Sequence, residues 1–274
     1  MPVRRERRKA NDEEMWLPEP RRLVAEVAGT FALTAVAAGA DVAGQLTGGQ
    51  VSPAARAVAP GLLVMALVYA LGDTSGAHFN PAVTLAFTAR RLFPVPWLLA
   101  YWVCQLAGAI LAGAALAVLF PSEAHAGIST PHVAHPVAFV IEVFLTTLLI
   151  TVILGTADRS RIVGPNAAIA VGATIALCGL IALPVEAASM NPARSIGPEI
   201  VLLRVDELWI YVLGPFAGAA LAVALTTALH GATPRDERQI EVATGKPARR
   251  DPARPDPADK RDDTRRGGRR AATR

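Results

Sequence analysis

The chain has 274 residues, is 52% hydrophobic, carries only 18% charged residues and has a mean hydropathy of +0.36. A soluble domain of this length carries more charge, and here the charge is crowded into residues 1–22 and 233–274 while the middle is nearly bare. These values exclude an ordinary soluble enzyme or nucleic-acid-binding domain and indicate a polytopic membrane protein, with the net charge of +4 residing in polar tails.

The N-terminal tail, residues 1–21, is charged throughout and has no apolar core of its own, so no cleavable signal peptide is expected. A bilayer core of about 30 Å needs about 20 apolar residues as helix. Six such spans are predicted, at about 22–42, 55–72, 96–119, 136–155, 164–183 and 207–229. Two shorter helical pieces, about 80–90 and 191–202, are too short to cross. Each begins at an Asn-Pro-Ala tripeptide, Asn80-Pro81-Ala82 and Asn191-Pro192-Ala193, which together use two of the four asparagines in the chain. Asn is a preferred N-cap and Pro is favoured in the first helical turn. Both tripeptides therefore start helices at membrane depth, where re-entrant backbone is tolerated only when buried in protein or lining a wet cavity. The C-terminal tail, residues 230–274, is basic and has a disordered composition; its last 40 residues hold 13 Lys/Arg against 8 Asp/Glu. The cysteines, Cys104 and Cys178, fall within spans and read as small buried hydrophobes, and no spacing suggests a metal site.

Arginines mark one side. Arg90 and Arg91 follow the second span, Arg159 and Arg161 follow the fourth, and the loops 43–52 and 121–135 contain no Lys or Arg. The positive-inside rule places both termini in the cytoplasm of a cell-membrane protein. The chain also repeats. Glu26 is echoed by Glu142, and Asn80 by Asn191, 111 residues on. Repeat 1 (about 22–120) and repeat 2 (about 136–229) each hold three spans, an odd number, so they insert in opposite orientations. The expected fold is an all-α membrane protein of six transmembrane helices plus two re-entrant half-helices in an inverted internal repeat. Its site should lie at the midplane, where the half-helices meet.

Each half-helix N-terminus carries roughly half a positive charge. Two meeting head to head repel cations and protons, while the amides of Asn80 and Asn191 offer donors to a neutral molecule. Arg194, one turn after Asn191, adds a fixed positive charge facing the pore; the alternative is a buried ion pair with Glu142 or Glu186. Glu26 and Glu142 are expected to accept loop N–H groups and so hold the half-helices. His78 is read either as lining the inner vestibule or as a satisfied buried histidine. Four other classes remain at this point, one of them a structural membrane protein without a pore, which would not need two asparagines at membrane depth. A secondary transporter would recruit Glu26 and Glu142 for coupling. An ion channel is opposed by the dipoles and Arg194. An enzyme is opposed by the absence of a nucleophile elbow or phosphate loop around Ser75 or Ser189.

The two signatures, Ser75-Gly76-Ala77-His78-Phe79-Asn80-Pro81-Ala82-Val83-Thr84 and Ser189-Met190-Asn191-Pro192-Ala193-Arg194-Ser195, resemble those of the major intrinsic protein family, the aquaporins and aquaglyceroporins. Glu26, Gly29-Thr30, Gln105, Glu142 and Gly214-Pro215 agree as well, and the resemblance covers about 22–229. It implies a homotetramer in the lipid bilayer with one pore per subunit, passive flow of water and small neutral solutes, and no cofactor. It implies pore-lining carbonyls at Gly76, Ala77, His78, Glu186, Ala187 and Ala188. It also implies an outer selectivity filter of Pro60, Gly179, Ala188 and Arg194. Water-selective members usually have an aromatic at the position of Pro60 and a histidine at that of Gly179; glycerol channels usually have aromatics at the positions of Pro60 and Ala188. The small residues here predict a wide filter open to glycerol, urea or neutral metalloid acids. The Ala-, Arg- and Pro-rich composition suggests a GC-rich bacterial genome.

Overall fold

A computed structural model describes residues 18–157 and 166–231. Most of both tails, and Arg159 and Arg161, lie outside the described residues. Among the described residues eight α-helices follow in order: α1 Pro20–Leu46, α2 Pro53–Ser75, α3 Pro81–Ala89, α4 Leu98–Leu119, α5 His135–Ala157, α6 Asn166–Glu186, α7 Pro192–Val201 and α8 Leu208–His230. A 3₁₀ turn, Val95–Trp97, leads into α4, and another, Ala124–Gly127, lies between α4 and α5. Among the described residues six segments are long and apolar enough to cross a membrane, and α3 and α7 are two short pieces.

Proline sets several of the starts. Pro20, Pro53, Pro81 and Pro192 all sit in a first turn, where the missing N–H costs nothing. Three helix ends run past expectation, among them α1, which reaches Leu46 rather than residue 42. Helix α6 runs to Glu186 rather than stopping near residue 183: it continues past Pro184, whose ring removes one donor, and closes with Ala187 N–H on Leu183 O at 3.2 Å. Helix α2 runs to Ser75 and closes on Gly76, whose φ of 87° is the left-handed conformation that glycine adopts without strain.

Packing follows the repeat. Helix α1 packs on α4 as α5 packs on α8, α2 and α6 pack on each other, and α4 holds α7 as α8 holds α3. This pattern is what exchanging the two halves would produce. Glycine permits the closest of these approaches. A Cβ on Gly108 would lie 2.3 Å from Val27 O, and one on Gly218 would lie 2.7 Å from Val143 O. Small residues at such crossings let backbones touch where lipid gives no hydrophobic drive to associate. The outer surface is apolar, with Leu111, Val118, Phe144, Leu177, Ile181 and Leu221 exposed, as a lipid-facing surface requires. Cys104 and Cys178 are free thiols, and Cys178 is fully buried beside Leu145 and Leu149.

Candidate functional site

Asn80 and Asn191 each perform two tasks. Asn80 Oδ1 accepts from Ala82 N–H at 2.9 Å, and Asn191 Oδ1 accepts from Ala193 N–H at 3.0 Å, so each caps its own half-helix. Their amide nitrogens cross over. Asn80 Nδ2 donates to Met190 O at 2.7 Å, and Asn191 Nδ2 donates to Phe79 O at 2.8 Å. Each amide spends one hydrogen on the opposite motif and retains a second as a donor. Both asparagines are buried, so α3 and α7 meet head to head inside the bundle.

The loops entering the half-helices are strained in register. Ala77, Phe79, Ala188 and Met190 have φ of 51°, 49°, 45° and 52°, and Ala187, in the place of Gly76, has φ 77°. Positive φ at a residue with a side chain costs about 1–3 kcal/mol and persists only where the surroundings over-determine it. Glu26 supplies that constraint in the first half. It accepts Ser75 O–H (2.7 Å), His78 N–H (3.0 Å), Phe79 N–H (2.8 Å) and Gln105 Nε2 (2.8 Å). Glu142 supplies it in the second half by accepting Ser189 N–H at 3.2 Å and Met190 N–H. Both glutamates are fully buried.

The halves diverge at the position of Ser75. Ser75 takes the N–H of Ala77 at 3.1 Å and passes its own hydroxyl to Glu26. Glu186 is its counterpart: it takes the N–H of Ala188 at 3.0 Å, but sets a second buried carboxyl beside Glu142. Two adjacent buried carboxyls are a costly arrangement. Glu186→Ser, which copies the first half, is expected to keep water flux and raise the melting temperature of the detergent-purified protein by about 2–4 °C. A lower melting temperature would show that the carboxyl itself is needed.

Glu186 also corrects an expectation. Its carbonyl accepts the buried phenol of Tyr211 at 2.6 Å, as the Ser75 carbonyl accepts Tyr101 at 2.8 Å. It is therefore turned toward α8 rather than lining a pore. The carbonyls that correspond to Gly76, Ala77 and His78 are those of Ala187, Ala188 and Ser189. The His78 ring does not face a vestibule either. It is buried against Phe87, Phe93 and Tyr101, with Nδ1 3.1 Å from Thr84 Oγ1.

Arg194 is buried and held from behind. One nitrogen donates to Ser129 Oγ, and the other lies 3.5 Å from Asp41 Oδ2. Its ion-pair partner is thus Asp41 rather than Glu142 or Glu186. Asp41, Ser129, Tyr101 and Tyr211 were not singled out from the sequence. The tyrosines, 110 residues apart, were findable from the repeat; Asp41 and Ser129 have no counterparts that would flag them. Of the other three filter candidates, Pro60 and Ala188 are partly exposed and Gly179 is buried. A Cβ on Gly179 would lie 2.9 Å from Ala57 O, so its smallness also serves the α2–α6 contact. Among the described residues no cluster of His, Cys, Asp and Glu could hold a metal.

Residues 15–226 match the family described as Major intrinsic protein. The chain is 43% identical over 204 residues to Aquaporin NIP1-1 of Zea mays, covering 74% of this chain and 72% of that one. It is 46% identical over 200 residues to Aquaporin NIP1-4 of Oryza sativa subsp. japonica, with 72% of each chain covered. It is 40% identical over 210 residues to Nodulin-26 of Glycine max, covering 76% of this chain and 78% of that one. In fold it is similar to the X-ray structure of the aquaglyceroporin from Plasmodium falciparum, with a TM-score of 0.68 at 22% identity over 75% of this chain and 94% of that one. These three sequence relatives are plant proteins, so they lend no support to the bacterial origin suggested by composition. With the paired motifs, the inverted helix packing and these similarities together, the chain belongs to the major intrinsic protein family.

Proposed function

We propose that this chain is a passive channel that lets water and small neutral solutes cross a membrane and excludes ions and protons. The crossed asparagines carry the reading. Each retains an N–H donor where two half-helix N-termini converge, so a molecule entering the junction must present an acceptor oxygen. A water that accepts from both amides turns its own hydrogens outward, which breaks any proton relay. A bare cation meets two positive helix ends and, further out, Arg194. The family does not contain enzymes of the kind the serines could suggest, and the chain acts as a channel. Engagement of Glu26 and Glu142 with loop N–H groups argues against their use as coupling acids of a secondary transporter.

The finer reading is a homotetramer in the cell membrane with both termini cytoplasmic, each subunit bearing a filter of Pro60, Gly179, Ala188 and Arg194. Carbonyls of Gly76, Ala77 and His78 and of Ala187, Ala188 and Ser189 line the path on either side of the asparagines. Three small filter residues support a bore wide enough for glycerol, urea or neutral metalloid acids as well as water. Stopped-flow light scattering on proteoliposomes under sucrose, glycerol and urea gradients tests this. Wild type is expected to pass water (read under the sucrose gradient), glycerol and urea, and Pro60→Phe to cut glycerol flux by about tenfold with water flux largely kept, since a narrowed filter discriminates by size. A wild type that passes water alone would remove the wide-filter reading. Gly179→His is a poorer test, because any side chain at 179 is driven against the α2 backbone.

A further inference from the structure

The Arg194 guanidinium has no polar side chain to hold it on the filter itself. Pro60, Gly179 and Ala188 offer neither a side-chain donor nor an acceptor. Its position is set by groups on α1 and on the segment between α4 and α5. Asp41, near the end of α1, places Oδ2 3.5 Å from one guanidinium nitrogen, while its Oδ1 accepts from Arg56 at 3.1 Å. One carboxylate is therefore shared by two arginines. Ser129 takes the other nitrogen of Arg194, and its Oγ lies 2.7 Å from Ser195 Oγ, which lies 2.6 Å from Ser189 Oγ. Ser189 O–H donates to Asn191 O at 3.0 Å, so this hydroxyl chain ties the arginine to the second motif. Glu199 lies beside Ser129 and within electrostatic reach of Arg194. Arg56 lies across α1 at Gly44, where an added Cβ would meet its Cδ at 2.8 Å. The pair is mostly desolvated: side-chain exposure is 6% for Arg194 and 11% for Asp41, against 27% for Arg56.

We propose that Asp41 is a specificity-determining positioning residue that acts through Arg194. Its carboxylate draws the guanidinium back toward α1 and cancels part of the positive charge that Arg194 and Arg56 bring to the outer mouth. Both effects keep the lumen clear for uncharged solutes larger than water. Without the carboxylate, Ser129 alone holds one nitrogen, and the other is released from α1 toward the lumen. A long cation there obstructs a three-carbon polyol more than it obstructs water. The size of this effect rests on the wide-filter reading proposed above.

Four proteins test it in proteoliposomes: wild type, Asp41→Asn, Arg194→Ala and the double variant, each first checked for wild-type elution in detergent. Asp41→Asn is expected to lower glycerol and urea permeability by about fivefold while water falls by less than about twofold, and to change neither in the Arg194→Ala background, the mark of action through one partner. Asp41→Glu is expected to restore the wild-type ratio. Equal losses in both backgrounds would make Asp41 a purely structural residue and overturn the proposal, as would an unchanged ratio in Asp41→Asn. Should Asp41→Asn fail to fold, Arg56→Gln serves: with its competitor removed, Asp41 holds Arg194 more fully, and the glycerol-to-water ratio should stay level or rise. A fall would overturn the proposal. A wild type passing water alone would remove the wide-filter reading separately. The same four proteins are then read in water flux, where a loss confined to the Arg194-containing background sustains the role of Asp41 and any other pattern overturns it.

Discussion

Replacing Glu26 with leucine is expected to abolish the folded channel. The carboxylate accepts four hydrogen bonds, from Ser75, Gln105 and two loop N–H groups, at a fully buried position. Leucine fills similar space and accepts none of them. Each buried donor left without an acceptor costs about 1–3 kcal/mol, and four such losses approach the roughly 5–15 kcal/mol that holds a domain together. The strained loop would at the same time lose the anchor of its His78 and Phe79 N–H groups, leaving the Asn191 amide on Phe79 O to hold it. Glutamine should be intermediate. Its oxygen can still accept, but its NH₂ faces donors and must turn away. Size-exclusion profiles of solubilised protein measure this: no monodisperse peak for Glu26→Leu, a reduced one for Glu26→Gln, and near-normal water flux per folded Gln subunit. A wild-type peak for Glu26→Leu would show that the α1 carboxylate is dispensable to the loop.

Asn191→Asp is expected to convert an ion barrier into a weak cation path. Two half-helix ends contribute about +1 elementary charge together at the junction, and one carboxylate cancels it. The same change removes the donor that reaches Phe79 O at 2.8 Å and sets an oxygen against that carbonyl, so the junction also loosens. Arg194 still opposes cations in the single variant. Adding Arg194→Ala should raise the current measured across a planar bilayer by about tenfold or more over Asn191→Asp alone, because two independent electrostatic barriers have then been removed. Wild type should be silent. A silent double variant that still conducts water would mean that exclusion comes from bore width rather than from charge.

Much of this site could be read before any coordinates because it is built from residues that are costly at membrane depth. Asn-Pro at 80–81 and at 191–192 announces a capped helix start, and its repetition after 111 residues gives the two-fold arrangement. The expectation that Glu26 and Glu142 accept loop N–H groups came from the need of any buried carboxylate for donors. What stayed hidden was of two kinds. Backbone strain at Ala187 and Ala188 has no sequence mark, because alanine is not a residue that signals positive φ; without it, the lining carbonyls were assigned one residue too early, at Glu186. The tether of Arg194 joins α1, an irregular segment and α7, at positions 41, 129 and 194, and nothing local in the sequence brings these together. Helix α6 also continues past Pro184: the ring removes one N–H from the last turn, yet Ala187 N–H still bonds Leu183 O, so the helix reaches Glu186.

The crossed amides have a bearing on how the protein is made. Asn80 donates to Met190, and Asn191 donates to Phe79, so the loop of each half is completed by a carbonyl that the other half provides. During synthesis residues 76–89 emerge about a hundred residues ahead of their counterparts. Until the second motif arrives, the Asn80 amide and the Phe79 carbonyl have only water to satisfy them, at a depth where lipid supplies none. The nascent first half must therefore remain hydrated, or sheltered by the insertion machinery, through the addition of helices α4, α5 and α6. Closure of the junction is a late event, and both repeats take their final shape in the same step.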